Sequence, residues 1–171
     1  MGGFQLWVNL PRAHKMMTPR YQEIGKADIP TVSPRPDVNI TVICGTVNGV
    51  QGPVNDSITD PQYLDITLGP DTLFSHPVKE GYTAFAYVIG GEGTFDAEEG
   101  YRISNRDLIL FSDGSSIWAR SFGKGFRFLF IAGKPIREPV AWRGPIVMNT
   151  REELRQAFTD YDAGTFIKKN A

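Results

Sequence analysis

The feature that most constrains this 171-residue chain is a series of short apolar runs that starts at Val38 and ends near Gly133. Each run is rich in Val, Ile, Phe and Tyr, and turn-forming residues separate it from the next. Runs of this length at a spacing of about 8–12 residues are typical of an all-β sandwich or barrel. The runs are VNITVICGTV, QYLDITLG, TAFAYVIGG, EGTFDA, YRIS, DLILF, SIWARSF and GFRFLFIAG.

Three of the predicted strands carry large apolar side chains on both of their faces. They span residues 83–89, where Phe85 and Tyr87 share one face, residues 107–111 and residues 126–131. A sheet with one face in water should alternate apolar and polar residues. We therefore expect one face of this sheet to pack the core and the other to be covered by a second surface.

The N-terminal residues alternate in a way that predicts another strand, from Phe4 to Leu10. After it the periodicity disappears, and three prolines punctuate the stretch before Val38: Pro30, Pro34 and Pro36. Residues 1–37 are therefore predicted to form a strand and a Pro-rich linker, and residues 38–135 a β-barrel.

The C-terminal residues 136–171 are predicted to form an extended arm and one α-helix. Thr150 and Glu153 match a capping box. The helix would carry one apolar face and end at Gly164, which can adopt the left-handed conformation. The residues of that face are Leu154, Ala157, Phe158 and Tyr161. Pro139 and Pro145 keep the preceding arm extended.

A dense glycine cluster, residues 90–93, lies between two of the predicted strands. It lacks the Lys-Ser/Thr of a phosphate-binding loop and does not open a helix. The sequence predicts a tight hairpin there.

Composition excludes several classes of function. The chain has 18 Lys and Arg against 19 Asp and Glu, a net charge of −1, so no binding to nucleic acid or to anionic lipid is expected. Its apolar runs are too short to cross a bilayer, and no signal peptide precedes them. The single cysteine, Cys44, cannot form an internal disulfide, and a cytoplasmic location is expected.

Side chains that could carry chemistry are scarce. The chain has two histidines, His14 and His76, and one thiol. An iron site with two histidines and one carboxylate would need both, although they are far apart in the sequence. Cys44 has apolar flanks that raise its thiol pKa and no nearby histidine. No spacing in the sequence indicates a catalytic site, and none is assigned.

Two long segments resemble signatures of the pirin family: GGFQLWVNLPRAHKMMTPRYQEI, and AGKPIREPVAWRGPIVMNTREELRQAFTDYDAGTF. FAYVIGGEG lies between them, and the resemblance runs from residue 2 to about residue 166. It covers only the second half of a pirin. Pirins are bicupins, so the resemblance implies a cupin-type jelly-roll β-barrel or sandwich with one C-terminal helix.

By this resemblance, iron is held in the first cupin by three histidines and a glutamate, in motifs that this chain lacks. In the second cupin, Gly69 and His76 lie near the start of the cupin metal motif, but Val78 stands where a second histidine is required. The later run SIWARSF contains no histidine. His76 is then a remnant, and no metal or cofactor is expected in this chain.

The resemblance implies two activities for intact pirins: an iron-dependent quercetin 2,3-dioxygenase, and protein binding in regulation. We expect this chain to be a metal-free interaction or structural cupin, a truncated bicupin without catalysis of its own. Alternatively, a chain carrying the first cupin completes a dioxygenase in trans. The apolar surfaces predict a homo-oligomer or that partner chain. A third alternative is a small-molecule-binding barrel, whose cavity lining would be Tyr63, His76, Phe85, Tyr87 and Phe128.

Overall fold

The computed structural model describes residues 3–54, 58–96 and 100–167. The chain divides into two compact units. Residues 23–135 form one, called here the sandwich unit, and residues 1–22 with 136–171 form the other, the terminal unit.

The described part of the sandwich unit contains a short 3-10 helix, Lys26–Asp28, followed by strands. These are β1 (Thr31–Arg35), β2 (Val38–Cys44), β3 (Thr46–Val47), β4 (Val50–Gln51), β5 (Gln62–Leu68), β6 (Leu73–Pro77), β7 (Thr83–Thr94), β8 (Ile103–Ser104), β9 (Leu108–Leu110) and β10 (Ser116–Gly133). The terminal unit contains a 3-10 helix (Arg12–His14), the hairpin of β11 (Ala141–Arg143) and β12 (Ile146–Met148), and helix α1 (Arg151–Asp162).

Eight strands form one antiparallel sheet, in the order β1-β2-β5-β10-β7-β8, with β6 also paired to β10 and β9 to β7. The first half of β10 pairs with β6 and the second half with β5. Among the described strands no ladder joins β1 to β8, so the sheet forms an open sandwich and not a closed barrel. The prediction of an all-β fold with one C-terminal helix is confirmed.

The core of the sandwich unit lies on one face of this sheet. Phe126, Phe128 and Phe130 of β10 are at most 2% exposed. The ring of Phe95 packs on two of them, with centroids 5.4 Å from Phe126 and 5.0 Å from Phe128. Apolar residues of β2, β5 and β7 complete this core: Val38, Ile40, Val42, Leu64, Ile66, Leu68, Ala84, Ala86 and Val88.

The opposite face of β7, β9 and the second half of β10 also carries large apolar side chains, as their sequences predict. One row across the sheet joins Tyr63, Ile131, Phe85 and Leu110, and a second joins Leu129, Tyr87 and Leu108. Leu129 is only 5% exposed, whereas Leu108 and Leu110 are 62% and 69% exposed. This face is called here the outer face.

The glycine cluster does not form the predicted hairpin. Residues 90–93 lie inside the continuous strand β7, and β10 likewise joins two runs that were predicted as separate strands. A Cβ on Gly91 would lie 2.0 Å from the carbonyl oxygen of Gly125. The glycines therefore allow close approach to β10, where the register shifts between Ser121 and Phe126.

The N-terminal prediction is also wrong. Residues 4–10 form no strand, and Phe4, Trp7 and Val8 are exposed. These residues alternate in character, but none of the described strands pairs with them. Part of the predicted linker is instead strand β1, which pairs with β2 through Thr31 opposite Thr41.

The predicted capping box of helix α1 is confirmed. The Thr150 hydroxyl accepts a hydrogen bond from the Glu153 N–H at 3.1 Å, and the Glu153 carboxylate accepts one from the Thr150 N–H at 3.0 Å. Gly164 follows with a φ of 72°, and Tyr161, predicted on the apolar face, is 65% exposed. None of the described helices has the length and apolarity needed to span a membrane.

Candidate functional site

His76 lies on β6, near the start of the cupin metal motif described above, and this position is called here the cupin-like position. His76 is 5% exposed and points into the core. Its ring stacks parallel to Phe74, with centroids 6.3 Å apart, and meets the edge of Phe130 at 5.6 Å. Ile117 of β10 lies directly opposite it in the ladder. The imidazole therefore occupies an aromatic and aliphatic environment.

The side-chain amide of Gln62 approaches this imidazole. The Nε2 atom of His76 lies 3.3 Å from Oε1 of Gln62, the first residue of β5. Burial lowers the pKa of His76 from 6.5 to about 4, because the apolar surroundings disfavour the charged ring. His76 is consequently neutral at pH 7.

The side chains around His76 do not fit a transition-metal site. Such a site normally needs three or more converging histidine, cysteine or carboxylate ligands. Val78, which follows β6, and Ile117, opposite His76 on β10, are both buried in the apolar core. Across the described residues, no group of three or more His, Cys, Asp or Glu side chains could hold a metal ion. His14 lies in the other unit.

The five side chains predicted to line one cavity are not brought together. His76 and Phe128 are buried in the core of the sandwich unit, where Phe128 is 0% exposed. Tyr63, Phe85 and Tyr87 lie on the outer face, because each pairs with an outer-face residue of β10. The prediction failed because both faces of these strands are apolar, so periodicity did not indicate which face is inside.

Two surface clefts were not predicted. One lies within the terminal unit, has a volume of about 210 Å³ and is lined by residues that include Lys15, Met148 and Ala157. Burial lowers the pKa of Lys15, while Glu138 and Glu153 act in the opposite direction. The Lys15 ammonium donates a hydrogen bond to Oδ1 of Asn9 at 2.5 Å.

The other cleft, about 310 Å³, lies within the sandwich unit beside Arg35 and Trp118. Its sequence signal is an arginine, Arg35, and a tryptophan, Trp118, at strand positions whose side chains point outward. Such positions are too common to indicate a site without the fold that brings them together.

The fold and the interior just described define a cupin of the jelly-roll class. The family model of the pirin C-terminal cupin domain matches residues 63–167. The chain belongs to the pirin family, and it corresponds to the C-terminal half of a pirin.

Individual relatives agree with this assignment. Pirin-1 of Arabidopsis thaliana is 42% identical over 162 residues, which cover 93% of this chain and 56% of that protein. Human pirin is 39% identical over 163 residues, covering 93% of this chain and 55% of pirin. The chain thus spans about half the length of these relatives.

A solved structure supports the same fold. The quercetin 2,3-dioxygenase from Acinetobacter baumannii superposes with a TM-score of 0.84 at 28% identity. The match covers 94% of this chain and 55% of the dioxygenase chain.

Proposed function

We propose that this chain is a metal-free cupin that acts as the structural and protein-binding half of a pirin, without catalysis of its own. The observation that carries the proposal is the single imidazole at the cupin-like position, with Phe74 and Phe130 packed on it. Val78 and Ile117 supply no metal ligand beside it.

The surface of the terminal unit supports a binding role. Many of its large apolar side chains are exposed, and exposed apolar surface on a folded domain often marks an interface. They include Phe4 (58%), Trp7 (64%), Val8 (49%), Val140 (63%) and Trp142 (72%). The outer face adds Leu108 and Leu110 on the edge strand β9.

We assign the first cupin of a pirin as the partner that covers the terminal unit, on the same polypeptide or on a second one. The relatives are nearly twice as long as this chain, and this length supports a first cupin as the occupant of the surface. The alternative occupant of this surface is a second copy of the same chain.

A second candidate function is a contribution to a quercetin 2,3-dioxygenase completed in trans. It is favoured by the similarity to the Acinetobacter dioxygenase, of which the chain covers 55%. In that case the first cupin would supply the iron ligands, and this chain would complete the fold around them.

Metal analysis and oxygen uptake separate the two functions. The purified chain, incubated with Fe²⁺ and desalted, should retain far less than one iron per chain and consume no oxygen with quercetin. Stoichiometric iron would contradict the first proposal. Mixing with a separately purified first cupin should then be tested: quercetin-dependent oxygen uptake above that of the first cupin alone would establish the second function.

The cytoplasmic location rests on the single cysteine, which is 5% exposed in β2, and it remains a prediction.

A further inference from the structure

The cleft of about 310 Å³ in the sandwich unit lies between the β1–β2 turn and strands β6 and β10. It differs from the His76 environment in including the outward-facing Ser75 and Trp118, but the two share Phe74, which stacks on His76. Its volume is at the lower end of the range for small-molecule sites, about 300–1,000 Å³. That size suits a compact ligand with one ring.

Most of the lining is apolar. Val38 and Phe74 are 0% and 7% exposed and provide a rigid base, because both belong to the hydrophobic core. Leu73 is 51% exposed and adds an aliphatic wall. Trp118 is half-buried and stands opposite Ser75 in the β6–β10 ladder, so an aromatic surface forms another part of the lining.

Arg35 supplies the charge. Its guanidinium donates to the carbonyl oxygen of Leu73, and its Nε lies 3.8 Å from Oδ1 of Asp37. A guanidinium has five N–H donors, so further donors remain for an incoming acceptor. None of the described residues that line the cleft is acidic.

Asp37 forms a shorter contact with Thr72 than with Arg35. Its Oδ2 accepts a hydrogen bond from the Thr72 hydroxyl at 2.8 Å, and this bond lowers the pKa of Asp37. The 3.8 Å approach to Arg35 is too long for a hydrogen bond. A ligand carboxylate at hydrogen-bonding distance would therefore compete well for the guanidinium.

We propose that this cleft binds a small aromatic carboxylate, with its carboxylate on Arg35 and its ring against Trp118 and Leu73. The pairing of an arginine with a carboxylate sets the orientation of the ligand, because the planar fork of the guanidinium matches both oxygens. The apolar lining selects a ring over an aliphatic polyol or a bare inorganic anion. The proposal does not depend on the function proposed above.

The test uses benzoate as the probe and the full chain as the protein. Isothermal titration calorimetry and tryptophan fluorescence should both report saturable binding at one site. Benzamide, which has a similar shape without the charge, should bind about tenfold more weakly or worse. Equal affinity for the two ligands would overturn the proposal, as would the absence of saturable benzoate binding.

Variants locate the site. Arg35→Met should weaken benzoate binding about tenfold or more, whereas Arg155→Met, at an exposed arginine paired with Glu152, should leave it unchanged. Asp37→Asn removes the neighbouring carboxylate and should tighten binding a few-fold, about threefold. Trp118→Leu should abolish the fluorescence response and weaken binding by about threefold or more.

Each variant is first checked for its unfolding temperature, since a misfolded Arg35→Met would mimic loss of the site. The benzamide comparison uses the native chain, and Asp37→Asn is expected to strengthen benzoate binding. Misfolding therefore cannot mimic either expected result. Benzoate binding that is insensitive to both Arg35→Met and Asp37→Asn would show that the ligand binds elsewhere and would refute the assignment.

Discussion

Thr72, the residue before β6, and Ser121 of β10 are joined by a reciprocal pair of hydrogen bonds. The Thr72 N–H donates to Oγ of Ser121 at 2.8 Å, and the Ser121 N–H donates to the Thr72 carbonyl at 3.0 Å. Ser121 is 0% exposed, and its hydroxyl also donates to the carbonyl of Gly69 at 2.5 Å. A single buried hydroxyl therefore satisfies two backbone groups at the point where β10 changes partners.

Replacing this hydroxyl should be costly. Ser121→Ala leaves the buried Thr72 N–H and the partly buried Gly69 carbonyl without this partner, and should lower the free energy of unfolding by about 1–3 kcal/mol. Urea denaturation measures it. Ser116→Ala, at the exposed start of the same strand, is the control and should change the value by less than about 0.5 kcal/mol. Equal effects of the two substitutions would contradict the role of this hydroxyl.

Gly93 should not tolerate a side chain. A Cβ there would lie 2.6 Å from the ring of Phe126 and 2.5 Å from the carbonyl oxygen of Arg120. Gly93→Ala is expected to cost at least about 3 kcal/mol, because strand β7 would have to move away from β10. Thermal unfolding is the measurement. Gly123→Ala, in β10 with no heavy atom within 4 Å of the added Cβ, should leave the unfolding temperature nearly unchanged.

His76 should make the fold sensitive to acid. Its pKa is lowered to about 4 in the folded chain from 6.5, so the unfolded chain binds the proton more tightly. Stability from this residue is therefore complete above pH 6.5 and declines as the pH falls from 6.5 towards 4, by about 3 kcal/mol between pH 7 and pH 4. Urea denaturation across this range should show a smaller decline in His76→Leu. His14→Leu, at the exposed histidine of the terminal unit, should retain the decline of the native chain.

The cap of helix α1 should contribute to the stability of the terminal unit. Thr150→Ala removes the oxygen that accepts the Glu153 N–H and should cost about 1 kcal/mol. Thr150→Ser keeps that oxygen and should behave like the native chain. Helical content followed by circular dichroism during unfolding distinguishes the two. A loss of equal size in both variants would mean that the methyl group, and not the cap, matters.

Trp142 should matter for the partner more than for the fold. It is 72% exposed, and its indole N–H donates to the carbonyl of Gly144 at 2.6 Å. Trp142→Ser should leave the unfolding temperature of the isolated chain nearly unchanged and should weaken binding to a purified first cupin about tenfold or more. Calorimetry measures the affinity. Tyr101→Ser, at another exposed aromatic residue, should have little effect.

The sequence predicted those features that depend on local chemistry. The Thr150 and Glu153 pair forms a capping box in any helix that begins there, and the alternation in β2 and β5 follows from a single buried face. The same reasoning failed at residues 4–10, because alternation predicts a strand without supplying its neighbour. It failed again at Gly90–Gly93, where the glycines serve close packing of two strands and not a turn.

The site was harder to predict for a related reason. The sequence draws attention to His76 as one of two histidines, but its burial and its stacking on Phe74 and Phe130 depend on strands distant in sequence. Phe85 and Tyr87 were placed with Phe128 because residues on both faces are aromatic or aliphatic. Only the pairing of Phe85 with Ile131 and of Ala86 with Phe130 shows which face is which.

The 18-residue strand β10 forms ladders with β5, β6 and β7, all of which precede it in the chain. During synthesis, these earlier strands leave the ribosome well before their common neighbour does. Until residue 133 has emerged, their edges are open to other chains. The nascent polypeptide therefore passes through a vulnerable interval, in which shielding by chaperones would matter most.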